Sequence, residues 1–108
     1  MTSGVRGVRP GGEGAPRVTL YTRTGCHLCD VARALLLALQ RTIPFHLEAV
    51  DIEGDADLER RFLLEIPVVE IEGEVVASGN VEVEALRGAL NRARIASTRR
   101  HATGGGEG

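Results

Sequence analysis

The sequence predicts an α/β fold, with a four-stranded mixed sheet and three helices in the order βαβαββα. Two observations carry this prediction. Short segments in which apolar and polar residues alternate are interleaved with longer segments in which apolar residues recur at helical spacing. The last two β-prone segments are separated only by "EG", which is typical of a hairpin turn. Together these features indicate a mixed sheet with helices packed on it.

The first half of this pattern predicts a strand, a helix and a second strand. Residues 17–22, "RVTLYT", alternate in character, with Val18 and Leu20 on one face. Residues 26–40 are rich in good helix formers. The apolar stripe of that helix is predicted to be Val31, Leu35, Leu36 and Leu39. Residues 45–52, "FHLEAVDI", alternate again and predict the second strand.

The second half predicts a short helix, a hairpin and a final helix. Asp55 is expected to open the short helix. Its inward-facing side chains are predicted to be Leu58, Phe62 and Leu63. The hairpin covers residues 66–78, with Val69 and Ile71 on one face. A helix over residues 81–95 follows. Its inward face is predicted to be Val83, Leu86, Leu90 and Arg94.

The two ends of the chain differ in composition from the middle. Residues 1–16 are rich in Gly, Arg and Pro and show no apolar periodicity, so we expect a flexible tail. Residues 97–108, which end in "TGGGEG", are predicted to be a second flexible tail. The domain itself is therefore expected to cover residues 17–96. The full length of 108 residues suits one domain with one modest core.

Charge and hydropathy narrow the class of protein. The formal net charge of -2 predicts no general attraction to nucleic acid or to an anionic membrane. No apolar run approaches the roughly 20 residues that span a bilayer. The N-terminal residues lack the apolar core of a signal peptide. We therefore expect a monomeric cytoplasmic protein that binds neither nucleic acid nor membrane.

The only two cysteines, Cys26 and Cys29, lie in the stretch "YTRTGCHLCD". They could hold a metal, form a structural disulfide or exchange electrons. A disulfide across so short a loop constrains the unfolded chain little, and a lone structural disulfide is unusual in the cytosol. A structural zinc needs four ligands, yet only His27, His46 and His101 supply imidazoles and no second CxxC is present. An iron–sulfur cluster shared between two chains, with Cys26 from each, remains as an alternative.

The spacing of the cysteines suits redox chemistry. Gly25 supports a tight turn after the first strand, which sets Cys26 at or next to the helix N-terminus. Unpaired backbone N–H groups and the helix dipole favour a thiolate there. Cys29 returns to the same face one turn later, at a Cα separation of roughly 5–6 Å that a disulfide can bridge. One thiol could attack a disulfide and the other could resolve the resulting mixed disulfide.

Four segments, "LYTRTGCHLC", "VDIEGD", "IPVVEIEG" and "ALRGAL", occur in an order that resembles the glutaredoxin branch of the thioredoxin-fold superfamily. Within it, the chain resembles short bacterial glutaredoxin-like proteins with a CxLC motif, over about residues 17–94. The resemblance implies a thiol–disulfide oxidoreductase with Cys26 as the nucleophile and Cys29 as the resolving thiol. It also implies that Pro67 is a cis-proline, and that the backbone of Ile66 pairs with the peptide groups of a substrate.

Three further residues are predicted to take part in substrate binding, two of them from positions in the resemblance and His27 from its own chemistry. Arg23 lies where glutaredoxins usually carry a lysine, and could meet a glutathione carboxylate. His27, if protonated, would stabilise the thiolate. Asn80 lies where an aspartate helps to hold glutathione, and is expected to cap the last helix. The sequence departs from glutaredoxins there and at His27-Leu28, which replaces the usual Pro-Tyr.

These features predict the partners of the protein. The substrates are expected to be disulfide-bearing proteins or glutathione mixed disulfides. No cofactor is expected to be bound. The oxidised Cys26–Cys29 pair is expected to be reduced again by glutathione as a co-substrate or by a thioredoxin-reductase-type donor. Two alternatives remain: a metal or iron–sulfur carrier that uses both thiolates as ligands, and a non-catalytic interaction module on the same fold.

Overall fold

The computed structural model describes the backbone of residues 6–9 and 14–107 and the side chains of residues 14–96. The five strands are β1 (Arg6–Arg9), β2 (Arg17–Thr22), β3 (His46–Asp51), β4 (Val68–Ile71) and β5 (Glu74–Ser78). The three helices are α1 (His27–Gln40), α2 (Ala56–Phe62) and α3 (Val83–Glu107). From β2 onward the order is βαβαββα, which confirms the predicted fold class.

The strands form one mixed sheet in the order β1-β3-β2-β4-β5. Strands β2 and β3 are parallel because the chain crosses over through α1 between them. Strand β4 runs antiparallel to β2, and β5 returns beside β4 as the predicted hairpin. The carboxyl end of β2, where the cysteine segment begins, therefore lies beside the amino end of β4. This neighbourhood builds the candidate site.

The ends of the chain carry more regular structure than the sequence predicted. Strand β1 lies within the predicted N-terminal tail and pairs antiparallel with β3, which makes the sheet five-stranded. Helix α3 continues to Glu107, past the predicted domain end at residue 96. Residues 1–5, 10–13 and 108 of the predicted tails lie outside the described residues. Among the described residues, no helix combines the length and hydrophobicity needed to span a bilayer.

The core lies between one face of the sheet and helices α1 and α3. Leu20 contributes from the sheet, Leu36 from α1, and Leu86 and Leu90 from α3, all with no exposed surface. Removing a leucine side chain from water stabilises the fold by about 1.5–3 kcal/mol. Side chains alternate between faces along a strand, so Tyr21 points to the opposite face from Leu20. Helix α2 covers that second face, where Phe62 stacks on Tyr21.

Three predicted inward-facing residues are exposed instead. In α1 the buried residues are Cys29, Ala32, Leu36 and Leu39, whereas Val31 is exposed. The buried face of α1 is therefore rotated from the predicted one. The prediction left out Cys29, whose side chain is buried on the face that continues through Ala32. Leu63 is exposed because α2 ends at Phe62, and Arg94 is exposed beyond the sheet-covering part of α3.

Candidate functional site

Cys26 and Cys29 are joined by a disulfide at the junction of β2 and α1. Their Cα atoms are 5.2 Å apart, within the separation that the sequence predicted. The turn before them contains Gly25 at φ 82, as expected for a glycine that ends a strand abruptly. The structure thus brings the two predicted catalytic side chains together.

Cys26 is the N-cap residue of α1. Its backbone is extended (φ -94, ψ 109), and its carbonyl accepts the first helical hydrogen bond, from the Asp30 N–H at 3.2 Å. Its Sγ accepts a hydrogen bond from the backbone N–H of Cys29 at 3.1 Å. A sulfur therefore occupies the place that a hydroxyl or carboxylate oxygen takes in most N-caps. After reduction, a Cys26 thiolate at this place would meet that N–H group and the positive end of the helix dipole.

The two sulfur-bearing residues differ in accessibility. Cys26 is only half-buried, whereas Cys29 is 1% exposed because it lies on the inward face of α1. An incoming disulfide can reach Cys26 from solvent, but Cys29 is screened by the core. The geometry thus assigns different access to two residues that are chemically identical in the sequence.

The Ile66-Pro67 segment lies beside the cysteine loop. Its peptide bond is cis, as the resemblance implied. The antiparallel pairing of β2 and β4 ends with Tyr21 opposite Val68. Continuing that register sets Pro67 opposite Thr22, so the Ile66-Pro67 segment flanks the turn that leads to Cys26.

Hydrogen bonds hold this segment from both sides. The N–H groups of Glu65 and Ile66 both donate to the Phe62 carbonyl, at 2.8 Å and 3.0 Å, which ties the segment to the end of α2. The Gly79 N–H donates to the carbonyls of Glu65 and Pro67, at 3.1 Å and 2.9 Å, which ties it to the end of β5. The Ile66 N–H is thus already engaged. The Ile66 carbonyl accepts no backbone hydrogen bond from the described residues.

Arg23 forms an ion pair that the sequence did not predict. Its Nε lies 3.6 Å from Glu53 Oε2, and both side chains are exposed. The Glu53 backbone is in turn fixed by a hydrogen bond from its N–H to Asp51 Oδ1, at 2.8 Å. The charge expected to meet a glutathione carboxylate therefore already faces a carboxylate of the protein itself.

The remaining two predicted residues are less closely tied to the sulfurs. His27 is the first residue of α1 and is exposed, with no hydrogen bond to either cysteine among the described contacts. Asn80 is exposed and does not cap the last helix, so that expectation was wrong. Helix α3 begins at Val83, and the carbonyl that accepts its first helical bond, at 3.2 Å, belongs to Glu82. Asn80 instead belongs to the link between Gly79 and the helix.

An aromatic contact beneath the site was missed by the sequence reasoning. The rings of Tyr21 and Phe62 are stacked with their centroids 4.5 Å apart, and the Arg61 guanidinium lies 4.6 Å from the Phe62 centroid. Tyr21 also donates a hydrogen bond from its hydroxyl to Glu70 Oε1 at 3.2 Å. Burial and the nearby Glu70 carboxylate raise the pKa of Tyr21 above 10.0. The sequence holds only one Tyr and two Phe. This scarcity was the one feature of the sequence that could have drawn attention to a contact between Tyr21 and Phe62.

The described side chains contain no group of three or more His, Cys, Asp or Glu residues arranged to hold a metal ion. Within residues 14–96, Cys26 and Cys29 face each other without a third such ligand beside them. Within these residues the site is therefore a pair of sulfurs joined as a disulfide, with Cys26 partly accessible and Cys29 buried.

The fold and the site together define a small thioredoxin-fold domain with a cysteine pair at the start of its first core helix. Comparison with protein families then identifies the kind of domain: the model of the Glutaredoxin-like domain (DUF836) matches residues 17–91. The chain belongs to this glutaredoxin-like family. Strand β1 lies outside the matched residues. A comparison with curated proteins gave no match.

Two solved structures of bacterial proteins are similar to this chain. The solution NMR structure of protein Ne2328 from Nitrosomonas europaea has a TM-score of 0.64 and 28% identity, over 70% of this chain and 92% of its own. The X-ray structure of protein XcR50 from X. campestris has a TM-score of 0.58 and 36% identity, over 69% of this chain and 96% of its own. Both support the small thioredoxin-like fold, and neither name states an activity.

Proposed function

We propose that this protein is a thiol–disulfide oxidoreductase in which Cys26 attacks a substrate disulfide and Cys29 resolves the mixed disulfide. The difference in accessibility carries this assignment, because Cys26 is half-buried and Cys29 is 1% exposed. The N-cap position of Cys26 supports it further. The N–H group that donates to its sulfur would also stabilise the thiolate that attacks.

The proposed reaction balances without a bound cofactor. The Cys26 thiolate attacks one sulfur of the substrate disulfide, and the other substrate sulfur leaves as a thiolate that takes a proton from water. The Cys29 thiol then loses its proton and attacks the Cys26 sulfur, which releases the second substrate thiol. Two electrons have passed from the protein to the substrate, and the Cys26–Cys29 disulfide remains.

A dithiol or two monothiols must then reduce that disulfide. Glutathione as a co-substrate and a thioredoxin-reductase-type donor are the two candidates that we propose for this step. The proposed setting is the cytoplasm, where disulfides in substrate proteins or glutathione mixed disulfides would be the molecules reduced. The Arg23–Glu53 pair favours the reductase-type donor, since it leaves less free positive charge for the carboxylates of glutathione.

The test separates the exchange reaction from the question of the donor. Fully reduced, metal-free protein is mixed with one equivalent of a neutral small disulfide such as bis(2-hydroxyethyl) disulfide, and the thiols released are counted. We expect two released thiols and one new protein disulfide per chain, and none of either for Cys26→Ser. No release from the reduced wild-type protein would contradict the proposal. Parallel turnover assays with glutathione plus its reductase, and with thioredoxin reductase, then identify the donor.

A further inference from the structure

A groove of about 270 Å³ opens between the β4–β5 hairpin and helix α3. Ile71 and Ala89 line it as buried residues, and Val76 of β5 lines it as a half-buried one. Ile71 pairs with Val18 near the start of β2, whereas Cys26 follows the end of β2. The groove therefore lies at the opposite end of the sheet from the cysteine pair, and the proposed exchange reaction does not use it.

Three charged side chains also line the groove, from the hairpin and from α3. Glu72 accepts a hydrogen bond at its Oε2 from the Arg17 backbone N–H at 2.8 Å, so it already has a partner. Glu74 on β5 and Arg92 on α3 are exposed, and within residues 14–96 neither side chain forms an ion pair or a hydrogen bond. A partner that fits this groove must therefore bring a cation to Glu74 and an anion to Arg92.

Strand β5 is the last strand of the sheet on this side, so within the described residues its outer edge is not paired. Residues 72–73 form a two-residue hairpin turn that Ile71 and Glu74 close, and a backbone hydrogen bond joins such a closing pair. Hydrogen-bonded and non-hydrogen-bonded pairs alternate along an antiparallel ladder, so the next pair, Glu70 and Val75, is of the second kind. The backbone N–H and C=O of Val75 therefore point outward, away from β4.

A β-bulge limits how far another strand can pair with this edge. Val69 lies opposite Ala77 and Glu70 lies opposite Val75, so Val76 is an extra residue in β5. A bulge disrupts the regular spacing of the backbone groups and bends its strand. The edge thus suits a short contact around Val75 and does not suit the addition of a long strand.

We propose that a second copy of this chain pairs with β5, antiparallel and on a two-fold axis at Val75. The two Val75 residues then form one hydrogen-bonded pair, in which each N–H donates to the other C=O. Their side chains, which are 54% exposed in one chain, cover each other on the face of the sheet opposite the groove. This inference goes beyond the proposed function and does not depend on it. It replaces the monomer that the sequence led us to expect.

The same axis brings opposite charges together twice. Glu74 of each copy lies opposite Val76 of the other copy, at a Cβ separation of about 4.5–5.5 Å. Because Val76 and Arg92 line the same groove, Glu74 of one copy reaches the Arg92 guanidinium of the other. A two-fold contact is self-complementary, so an ion pair that forms once forms again on the other side of the axis.

Both arginines are needed, because the two Glu74 carboxylates would otherwise repel each other. They are diagonal neighbours across the axis, with Cβ atoms about 7–8 Å apart. An interface of a few hydrogen bonds, ion pairs and one valine contact is small, so we expect weak association that salt weakens further. The axis lies next to the hairpin turn, at the other end of the sheet from Cys26, so we expect thiol exchange to be the same in monomer and dimer.

Sedimentation velocity of the oxidised protein tests the dimer directly. In that form Cys26 and Cys29 are joined to each other, so an intermolecular disulfide cannot cause association. We expect a monomer–dimer equilibrium with a Kd between about 10 μM and about 1 mM, and a higher Kd in added salt. A single monomeric species at concentrations up to about 1 mM would overturn the proposal.

Charge reversal tests the assigned contact. Glu74→Arg and Arg92→Glu each place like charges at both ion pairs, so each variant alone should dimerise at least about tenfold more weakly than the wild type. An equal mixture of the two variants restores opposite charges at both contacts, and should form a heterodimer with a Kd close to that of the wild type. A mixture that stays monomeric, while the wild type dimerises, would overturn this interface.

Two matched controls carry the same changes in net charge elsewhere. Asp57→Arg on α2 and Arg33→Glu on α1 alter exposed residues outside the groove, and should leave the Kd unchanged. Circular dichroism checks that every variant is folded. After reduction, all four variants should still release thiols from bis(2-hydroxyethyl) disulfide, so a failure of the proposed function is detected separately.

Hydrogen exchange locates the contact without any substitution. Exchange of the Val75 amide hydrogen should slow as the concentration of the wild-type protein rises, because that N–H is covered only in the dimer. The same exchange rate at low and high concentration, in a protein that dimerises, would overturn the pairing at Val75.

Discussion

The backbone nitrogen of Cys29 lies 3.1 Å from the sulfur of Cys26 and donates a hydrogen bond to it. Cys29 thus holds Cys26 through its backbone, while its own side chain is on the buried face of α1. A single helical turn therefore supplies both the stabilising N–H group and the second sulfur. The three-residue spacing at the helix start allows this contact, because an N-cap side chain accepts from the backbone N–H of the third helical residue.

The difference in accessibility predicts selective alkylation of the reduced protein. Iodoacetamide should modify Cys26 about tenfold or more faster than Cys29, because only Cys26 is both accessible and at a helix N-terminus. Peptide mapping by mass spectrometry after short exposures measures the two rates. Denatured protein is the control, and should show similar rates at both residues. Faster modification of Cys29 in the folded protein would reverse the proposed roles.

The contact between Tyr21 and Glu70 predicts a displaced tyrosine titration. Burial and the Glu70 carboxylate raise the pKa of Tyr21 above 10.0. Because the folded-state pKa is the higher one, the neutral phenol contributes stability that is fully present below the unfolded pKa and is lost as the pH rises through the folded pKa. Tyrosinate absorbance reports this residue alone, since the chain has one tyrosine.

Two variants test the cause of that shift. Glu70→Gln removes the charge beside the phenol and should move the Tyr21 titration toward its ordinary pH. Glu74→Gln removes an exposed carboxylate on β5 that does not act on Tyr21, and should leave the titration in place. Identical curves for wild type and Glu70→Gln would show that Glu70 is not a cause of the shift.

Gly79 predicts a stability cost that depends on backbone conformation alone. Its φ is 69, and a Cβ added there would meet no atom within 4 Å. Gly79→Ala should therefore lower the free energy of unfolding by about 1–2 kcal/mol, the cost of a left-handed conformation for an L-residue. Urea denaturation measures this change, and no loss of stability would mean that the link does not need φ > 0.

Gly88 provides the matched control for that substitution. It lies inside α3, where the atom nearest to an added Cβ is Arg92 Nη1 at 3.5 Å, an ordinary contact. Gly88→Ala should raise the free energy of unfolding by up to about 1 kcal/mol through helix propensity. Changes of opposite sign in the free energy of unfolding at the two glycines would show that backbone conformation, and not steric crowding by the added methyl group, causes the loss at Gly79.

The Arg23–Glu53 pair predicts a change in preference among small disulfides. Glu53→Gln should raise the rate constant with a glutathione mixed disulfide about twofold relative to a neutral disulfide, since one exposed negative charge is removed near the site. Glu74→Gln, on β5, should leave that ratio unchanged. An unchanged ratio in Glu53→Gln would mean that this carboxylate does not influence glutathione.

Much of the fold could be predicted because each element carries a local signal. The alternation in β2, the "EG" turn of the hairpin and the Asp55 N-cap of α2 each depend on neighbouring residues, and all three are present. Strand β1 could not be predicted in this way. Its four residues, "RGVR", form a strand through pairing with β3, which is distant in sequence.

The candidate site was predictable to a different degree at each residue. The cysteine pair follows from a short motif and the cis-proline from the resemblance to glutaredoxins, and the structure brings them to the same edge of the sheet. The partner of Arg23 could not be predicted, because Glu53 approaches it only after β2 and β3 pair in register. The predicted start of α3 was wrong because Asn80 is a good N-cap by residue type. In the structure β5 ends at Ser78 and α3 begins at Val83, so the residues between them connect the hairpin to the helix.

The central claim is that Cys26 forms the bond to the substrate, and intact mass spectrometry of two serine variants tests it most directly. Each reduced variant is incubated with excess bis(2-hydroxyethyl) disulfide. We expect Cys29→Ser to gain the mass of one 2-mercaptoethanol unit on Cys26, and Cys26→Ser to remain largely unmodified because its remaining thiol is buried. Modification of Cys26→Ser with an unmodified Cys29→Ser would contradict it.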